Sequence, residues 1–377
     1  MDNITHTLFA LTLARTRIGR AGRGTTAALV LASNAPDIDV LAALGGSTNY
    51  LAWHRGPTHG LLGVAGLGLV TASLVWGVNR LVRSWGPPSG GPIRLEPDPT
   101  FMEPTFKELF VVSLIGVLFH ILMDVPTSYG TRLASPFAWR WYAIDLMPII
   151  DIYLLVVLAA GLGLGSRSPD MARRSAAIVL ALMAMNYGGR AFAHHEALKL
   201  TARLSGPSRP PACDAQASSI SLVDAWPHAT ARAGSCLVEA AAIPSFLSPF
   251  QWRVIAQFPD AYEIFEVDLR DESLRSASPS ADRLAFGARL PNRWTPVVVE
   301  AARTRTAQIF LGFARFPLMQ VSGNPSGVAT VRMTDLRFNP GFEGNSNSPL
   351  QTRRTSLFTV TVQIGPDNEI IQERLGE

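Results

Sequence analysis

The run from Gly60 to Val78 carries no charged side chain and is long enough to cross a bilayer unaided. It limits the fold more than any other feature, because in lipid only a helix or a closed barrel satisfies every backbone N–H and C=O without water. Leu109 to Met123, Ile152 to Gly165 and Ser175 to Gly189 are also apolar but shorter or polar-ended, and Thr5 to Thr16 and Thr25 to Ala35 are weaker still. Such segments suit spans whose ends carry functional groups, buried core helices, or re-entrant and interfacial pieces. A composition of 47% hydrophobic and 16% charged residues agrees with a membrane chain. The expectation is a mainly α-helical membrane domain of about five or six apolar helices, followed by a smaller β-rich soluble domain.

The boundary falls where composition changes. Residues 1–203 are apolar and punctuated by Gly and Pro; Ser205-Gly206-Pro207 and Pro210-Pro211 open a polar linker over 204–248. From 249 to 377, β-prone runs at Trp252 to Phe258, Tyr262 to Leu269, Thr295 to Val299, Ala307 to Phe313, Val328 to Met333 and Ser356 to Ile364 alternate with turn residues. Cys213 and Cys236, both in the second half and in no metal-finger spacing, are either one disulfide or two free thiols. The N-terminus, with Asp2 and His6, does not read as a cleavable signal. A net charge of +4 with no basic run interleaved by aromatics sets nucleic acid aside as a partner.

Arg15, Arg17, Arg20 and Arg23, then Arg80, Arg83, Arg94 and Lys107, then Arg167, Arg173 and Arg174 cluster between alternate apolar segments, which marks those three loops as cytoplasmic. The opposite segment ends hold His6, Asp37, Asp39, His54, His59, His120, Asp124, Asp145 and Asp151. All these potential ligands then surface together on the periplasmic face of an inner membrane, with the C-terminal domain on the same side. An inverted or partly monotopic arrangement is the alternative, since several of the crossings are short.

His120 and Asp124 lie i, i+4 on one apolar helix and therefore share a face, and Pro126 ends that helix near the membrane surface. A carboxylate at that depth is expensive without a partner or a metal. In His54-Arg55-Gly56-Pro57-Thr58-His59, Gly56 turns the chain and Pro57 suits a first helical position, so both imidazoles can face one point. Pro36-Asp37-Ile38-Asp39 sets two carboxylates after a helix break, and Asp145 and Asp151 flank Pro148; each Asp taken alone suits a cap or turn equally well. Together they form a mixed nitrogen and oxygen set suited to a divalent metal, zinc or else manganese or iron, with donors for one to three ions. Such a set activates water and clamps the two oxygens of an in-line displacement at a phosphoester. Arg55 and Arg132 are candidates for holding the phosphate, with snorkelling to the interface as the bland alternative. His194, His195 and Glu196 are weaker ligand candidates, and His228 reads as a surface residue. No GxSxG elbow, P-loop, dinucleotide glycine set or HExxH is present.

Met1-Asp2-Asn3-Ile4-Thr5-His6, Pro36 to Asp39, His54 to His59, His120 to Asp124, Tyr129-Gly130-Thr131 through Pro136-Phe137, and Asp145 through Ile149-Ile150-Asp151 resemble, in order and spacing, the YdjM family of LexA-regulated, membrane-bound, metal-dependent hydrolases. Leu247 to Arg253 looks like the tail domain of longer members. The resemblance implies a multi-pass inner-membrane protein, distantly akin to zinc phospholipase C and the P1-type nucleases. It implies His6, Asp37, His54, His59, His120 and Asp124 as metal ligands, with Asp39, Asp145 and Asp151 as ligand, base or supporting carboxylate. The leading expectation is a hydrolase acting by metal-activated water on a phosphoester or related ester of a small-molecule or lipid-derived substrate. The alternatives are a metal transporter or sensor without hydrolysis, and a structural anchor for the β-rich domain.

Overall fold

In the computed structural model of the protein the described residues are 1–84, 103–204, 236–271, 288–338 and 358–376. Arg94, the linker prolines, Cys213 and His228 lie outside them. The chain divides into two compact units, Met1–Leu41 with Trp53–Arg190, and Ala42–Ala52 with Ala191–Glu377.

The first unit is helical: α1 (Asn3–Ala14), α2 (Thr25–Ala32), α4 (Leu61–Ser84), α5 (Phe106–Asp124) and α6 (Ile152–Leu164), with α7 (Pro169–Leu204) belonging to it up to Arg190; α3 (Ser47–Trp53) belongs to the second unit except for Trp53. Local chemistry sets the starts. Asp2 caps α1 by accepting the Thr5 amide at 3.0 Å, Thr105 and Glu108 form a reciprocal capping box at α5, and Asp151 caps α6. Between α2 and α3 the chain runs as a 3₁₀ segment, Ala35–Gly45, and Pro57–His59 forms a further 3₁₀ turn that delivers His59 just before α4. Gly56 and Pro57 take the cap and first-turn places expected of them.

Among the described residues three helices are long and apolar enough to cross a membrane, Leu61–Ser84, Phe106–Asp124 and Pro169–Leu200, or up to four if Thr25–Ala32 and Ala35–Gly45, bent by 41°, count as one broken span. This corrects the expectation of five or six apolar helices. The sequence between Thr5 and Thr16 gives only the 12 residues of α1, and α6 only 13, too few to span a hydrocarbon core of about 30 Å at 1.5 Å per residue.

The core of this unit joins Phe9 and Leu13 of α1, Leu29 of α2, Leu109 and Val112 of α5, and Leu154 and Leu158 of α6. Close approach depends on small residues. A Cβ on Gly116 would sit 2.7 Å from the Ala32 Cβ, so only glycine lets α5 press onto the end of α2 there.

The second unit holds two four-stranded antiparallel meanders: β1 (Glu239–Pro244), β2 (Gln251–Gln257), β3 (Ala261–Asp268) and β4 (Ala288–Pro291), then β5 (Pro317–Gly323), β6 (Ala329–Asp335), β7 (Thr359–Ile364) and β8 (Ile370–Leu375). Ile243, Ile255, Tyr262, Ile264, Phe316 and Leu318 bring both sheets into one apolar cluster. β1 falls inside the stretch read as linker, so regular structure begins before residue 249. Two of the runs read as strands are helices, α8 (Pro296–Ala302) and α9 (Arg305–Phe313). Pro296 at the first helical position, and the Thr304 hydroxyl accepting the Ala307 amide, start them and override the β-branched composition. Cys236 is disulfide-bonded, and Cys213 is the chain's other cysteine.

Candidate metal centre

Four side chains from three separate stretches converge in the helical unit. Asp37 comes from the 3₁₀ segment, His59 from the turn before α4, and His120 and Asp124 from the last turns of α5; one ligand atom from each lies within 4.8 Å of all the others. His59, His120 and Asp124 are fully buried and the Asp37 side chain is 16% exposed.

The hydrogen bonds settle which imidazole nitrogens face this point. His120 Nδ1 lies 2.7 Å from the Ser33 carbonyl, which only accepts, so Nδ1 carries the proton and Nε2 keeps its lone pair. His59 Nδ1 lies 3.0 Å from the Thr58 hydroxyl and 3.4 Å from Asp39 Oδ2, while Thr58 Oγ1 donates to that same oxygen at 3.2 Å. The proton of His59 is therefore held on Nδ1 too. The two Nε2 atoms meet at 3.2 Å, a contact in which neither neutral ring has a hydrogen to offer. Around them, His120 Nε2 is 3.6 Å from Asp37 Oδ1 and 3.4 Å from Asp124 Oδ2, and His59 Nε2 is 3.7 and 3.5 Å from the same atoms.

Buried Asp37 Oδ2 and Asp124 Oδ2 make no hydrogen bond, although the Arg55 guanidinium lies 3.3 Å from Asp124 Oδ2 as an ion pair. Converging lone pairs, neighbouring carboxylate oxygens and Nδ1–H groups anchored on a carbonyl and a hydroxyl are what a divalent cation with imidazole and carboxylate ligands requires. The residues fit such an ion.

His6 lies beside this set. Its ring stacks on His120 with centroids 3.9 Å apart, its Nε2 is 3.5 Å from Asp124 Oδ1, and neither of its nitrogens has a hydrogen-bond partner. The Met1 amino group contacts Asp124 Oδ1 directly. Asp39 stands one layer back. Its carboxylate accepts from the Arg55 amide at 2.7 Å and from Thr58, and lies 3.0 Å from His54 Nδ1, so it orients the loop that carries both His54 and His59. His54, outside the four-residue cluster, has its basicity lowered by burial, with the Asp39 carboxylate opposing that shift.

Arg55 is buried at φ 51°, a left-handed conformation that costs a residue with a Cβ roughly 1 kcal/mol or more. Its guanidinium donates to the Gly130 carbonyl at 2.8 Å, lies 3.3 Å from Asp124 Oδ2 and packs over Tyr129. Arg132 is bound to the same loop, its amide donating to the Arg55 carbonyl at 3.1 Å, and its guanidinium stacks on Trp139 and Trp141 at 4.9 and 4.5 Å. Burial lowers the Arg132 pKa to about 10. The Arg132 guanidinium is thus buried against two indoles.

Asp145 and Asp151 lie outside the four-residue cluster. Asp145 is buried at φ 61° in the strand-like stretch that wraps the end of α5, where Leu146 bonds to the Pro126 carbonyl at 2.8 Å. Asp151 accepts the Leu154 amide at 2.9 Å and pairs with Arg190 of α7 at 2.7 Å, both side chains buried. It ties α6 to α7. The ring of His194 packs against Trp252 at 5.5 Å within the second unit, and among the described residues His194 joins no group of potential metal ligands. Thr58 and the Ser33 carbonyl were not singled out by sequence reasoning; Thr58 lies inside the His54 to His59 motif, whereas nothing local marks Ser33.

A protein of Bacillus subtilis (strain 168) described as uncharacterized protein YfhP is 23% identical over 155 residues, 41% of this chain and 41% of that one. The match thus spans well under half of that relative's length. No solved structure matches the chain. Residues 1–197, which contain every member of the cluster, match the family described as YdjM inner membrane protein, and the chain belongs to that family.

Proposed function

We propose that the chain is a membrane-bound, metal-dependent hydrolase acting on a phosphoester or related ester. The observation that carries the reading is the convergence of Asp37, His59, His120 and Asp124 with both imidazole Nδ1 groups already engaged, so that the two Nε2 lone pairs and the Asp37 and Asp124 carboxylates, the latter also paired with the Met1 amino group and Arg55, meet at one point. Two imidazoles and two carboxylates suit zinc, with manganese as the alternative, and His6 supplies a further donor. A divalent ion bound there supplies Lewis-acid activation of water and of the ester. The protein's part is to hold the site rigid. Asp39 and Thr58 fix the His59 ring, Ser33 fixes His120, and Arg55 sets a positive charge beside Asp124 where a phosphate oxygen would arrive.

A periplasmic site draws support from helix polarity within the first unit. His6 begins α1 while Arg15 follows it; His59 precedes α4 while Arg80 and Arg83 end it; Lys107 begins α5 while His120 and Asp124 end it. The disulfide at Cys236 favours an oxidising compartment for the second unit.

Metal analysis of the purified protein, with a screen of soluble phosphoesters and phospholipids, tests the reading. Bound zinc or manganese and turnover abolished by His59→Ala or Asp124→Asn are expected; full activity in metal-free protein would refute it. The complete burial of three of the four ligands also suits a transporter or sensor. Metal flux into proteoliposomes without hydrolysis of any ester would favour that second reading.

A further inference from the structure

A cavity of about 330 Å³ lies between α1, α5 and α7 within the first unit, walled by Phe9, Phe119, Met123, Leu180, Met183 and Tyr187. Its walls are apolar throughout, and the Tyr187 hydroxyl is directed at the Met1 sulfur, 3.5 Å away. Leu122 and Ala184, at its edges, are exposed. Two of the three helices that form it, α5 and α7, are long and apolar enough to cross a membrane.

The cavity and the metal centre share their helices residue by residue. Phe119 and Met123 of the cavity alternate along α5 with His120 and Asp124 of the centre, and Phe9 follows His6 by one turn of α1. The Phe9 and Phe119 rings meet at 5.2 Å; Phe9 lies about one turn beyond His6, and Phe119 immediately precedes His120, whose ring stacks on His6. Met1 joins the two places, its sulfur against Tyr187 and its amino nitrogen against Asp124.

Resting on the hydrolase reading above, we infer that this groove seats one acyl chain of a membrane phospholipid and so presents the lipid's phosphoester to the metal centre. Lipid is the occupant that the surroundings select. A span-lined apolar slot with an exposed rim opens to acyl chains, which face no barrier to entry from the bilayer, while Arg55 beside Asp124 matches the phosphate. An acyl chain that moves from the bilayer into the slot gains no hydrophobic transfer energy, so its occupancy rests on fit, and an indole ring placed in the slot excludes it by volume.

The test uses full-length protein reconstituted in phosphatidylethanolamine vesicles that contain phosphatidylglycerol with a photoactivatable diazirine in one acyl chain. Label is expected to concentrate on the peptides bearing Phe119 to Met123 and Leu180 to Tyr187, and to be lost from them in Ala184→Trp and in Leu122→Trp. Both substitutions sit at exposed rim positions, and membrane extraction profiles check that each variant inserts. Unchanged labelling in both inserted variants, or label spread evenly over outward residues such as Val70 and Leu74 of α4, overturns the proposal. Labelling needs no turnover. Protein labelled in the groove yet inert to every phosphoester upholds the lipid seat and removes the hydrolase reading, whereas turnover of a soluble phosphoester without groove labelling keeps the hydrolase and overturns the seat.

Discussion

Replacing Asp39 by Asn separates holding the ligands in place from binding the metal directly. One carboxylate oxygen of Asp39 faces His54 Nδ1 at 3.0 Å; the other accepts the Arg55 amide at 2.7 Å and the Thr58 hydroxyl at 3.2 Å and lies 3.4 Å from His59 Nδ1. Asn keeps the size and one acceptor. Whichever way the amide turns, its NH2 confronts either His54 or the Arg55 and Thr58 donors. A mispaired buried donor costs about 1–3 kcal/mol, and at 1.4 kcal/mol per decade that is about 5- to 140-fold in affinity if the whole cost falls on the metal-loaded arrangement. Loss of a partner that orients a metal ligand typically costs about 10- to 100-fold, inside that range. Competition titration with a calibrated zinc chelator, on detergent-purified protein, should therefore give a Kd raised about 10- to 100-fold with unchanged stoichiometry. Asp124→Ala, which removes a donor, should instead lower the stoichiometry or abolish binding. If Asp39→Asn binds zinc as the parent protein does, or loses it as completely as Asp124→Ala while staying folded, the placing role given to Asp39 is wrong.

Burial holds the folded-state pKa of His54 below the ordinary histidine value near 6.5, so between those two pKa values the unfolded chain binds the proton and the folded one does not. Stability is then complete above about pH 6.5 and declines as the pH falls below it; thermal unfolding of metal-free protein should show this slope, and His54→Gln should make it shallower without abolishing it, because burial lowers the His6 pKa in the same direction. Gly116→Leu should force α5 off the end of α2, lengthen the His120 to Ser33 contact and cost about 1–3 kcal/mol, read as a lower Tm together with weaker metal binding. Asp151→Ala strands the buried Arg190 charge and should destabilise the helical unit by about 3–5 kcal/mol, while the protein that remains folded keeps the parent metal stoichiometry. A catalytic Asp151 would instead show lost turnover at unchanged stability.

Much of the metal cluster was legible because its chemistry is written locally. His120 and Asp124 share a helix face by spacing alone, and Gly56-Pro57 announces the turn that brings His59 inward. What spacing could not convey is which carboxylate reaches the centre. Asp37 and Asp39 are two residues apart on an irregular segment, yet one faces the Nε2 side of His59 and the other its Nδ1 side. Asp151 combines a cap with an ion pair to a residue 39 positions later, a partner that only the packing of α6 on α7 reveals. The number of long apolar helices was overestimated because local hydropathy does not register where a helix stops. In the C-terminal half, β-branched Val297, Val298 and Val299 read as strand, but Pro296 and the fit of Val298 into a buried site favour helix.

The donors of the centre are far apart in sequence, His59 and His120 by 61 positions, and each sits within about a turn of the end of its element. An ion held there would work as a rivet: it would close long loops and fasten the ends of helices, so that capture of the ion and assembly of the bundle would share one free energy. Newly inserted chains that have not met their cation would have loosened junctions at Ala35–Gly45 and Pro57–His59, open to membrane proteases. Cellular abundance of this protein would then follow the local supply of the metal.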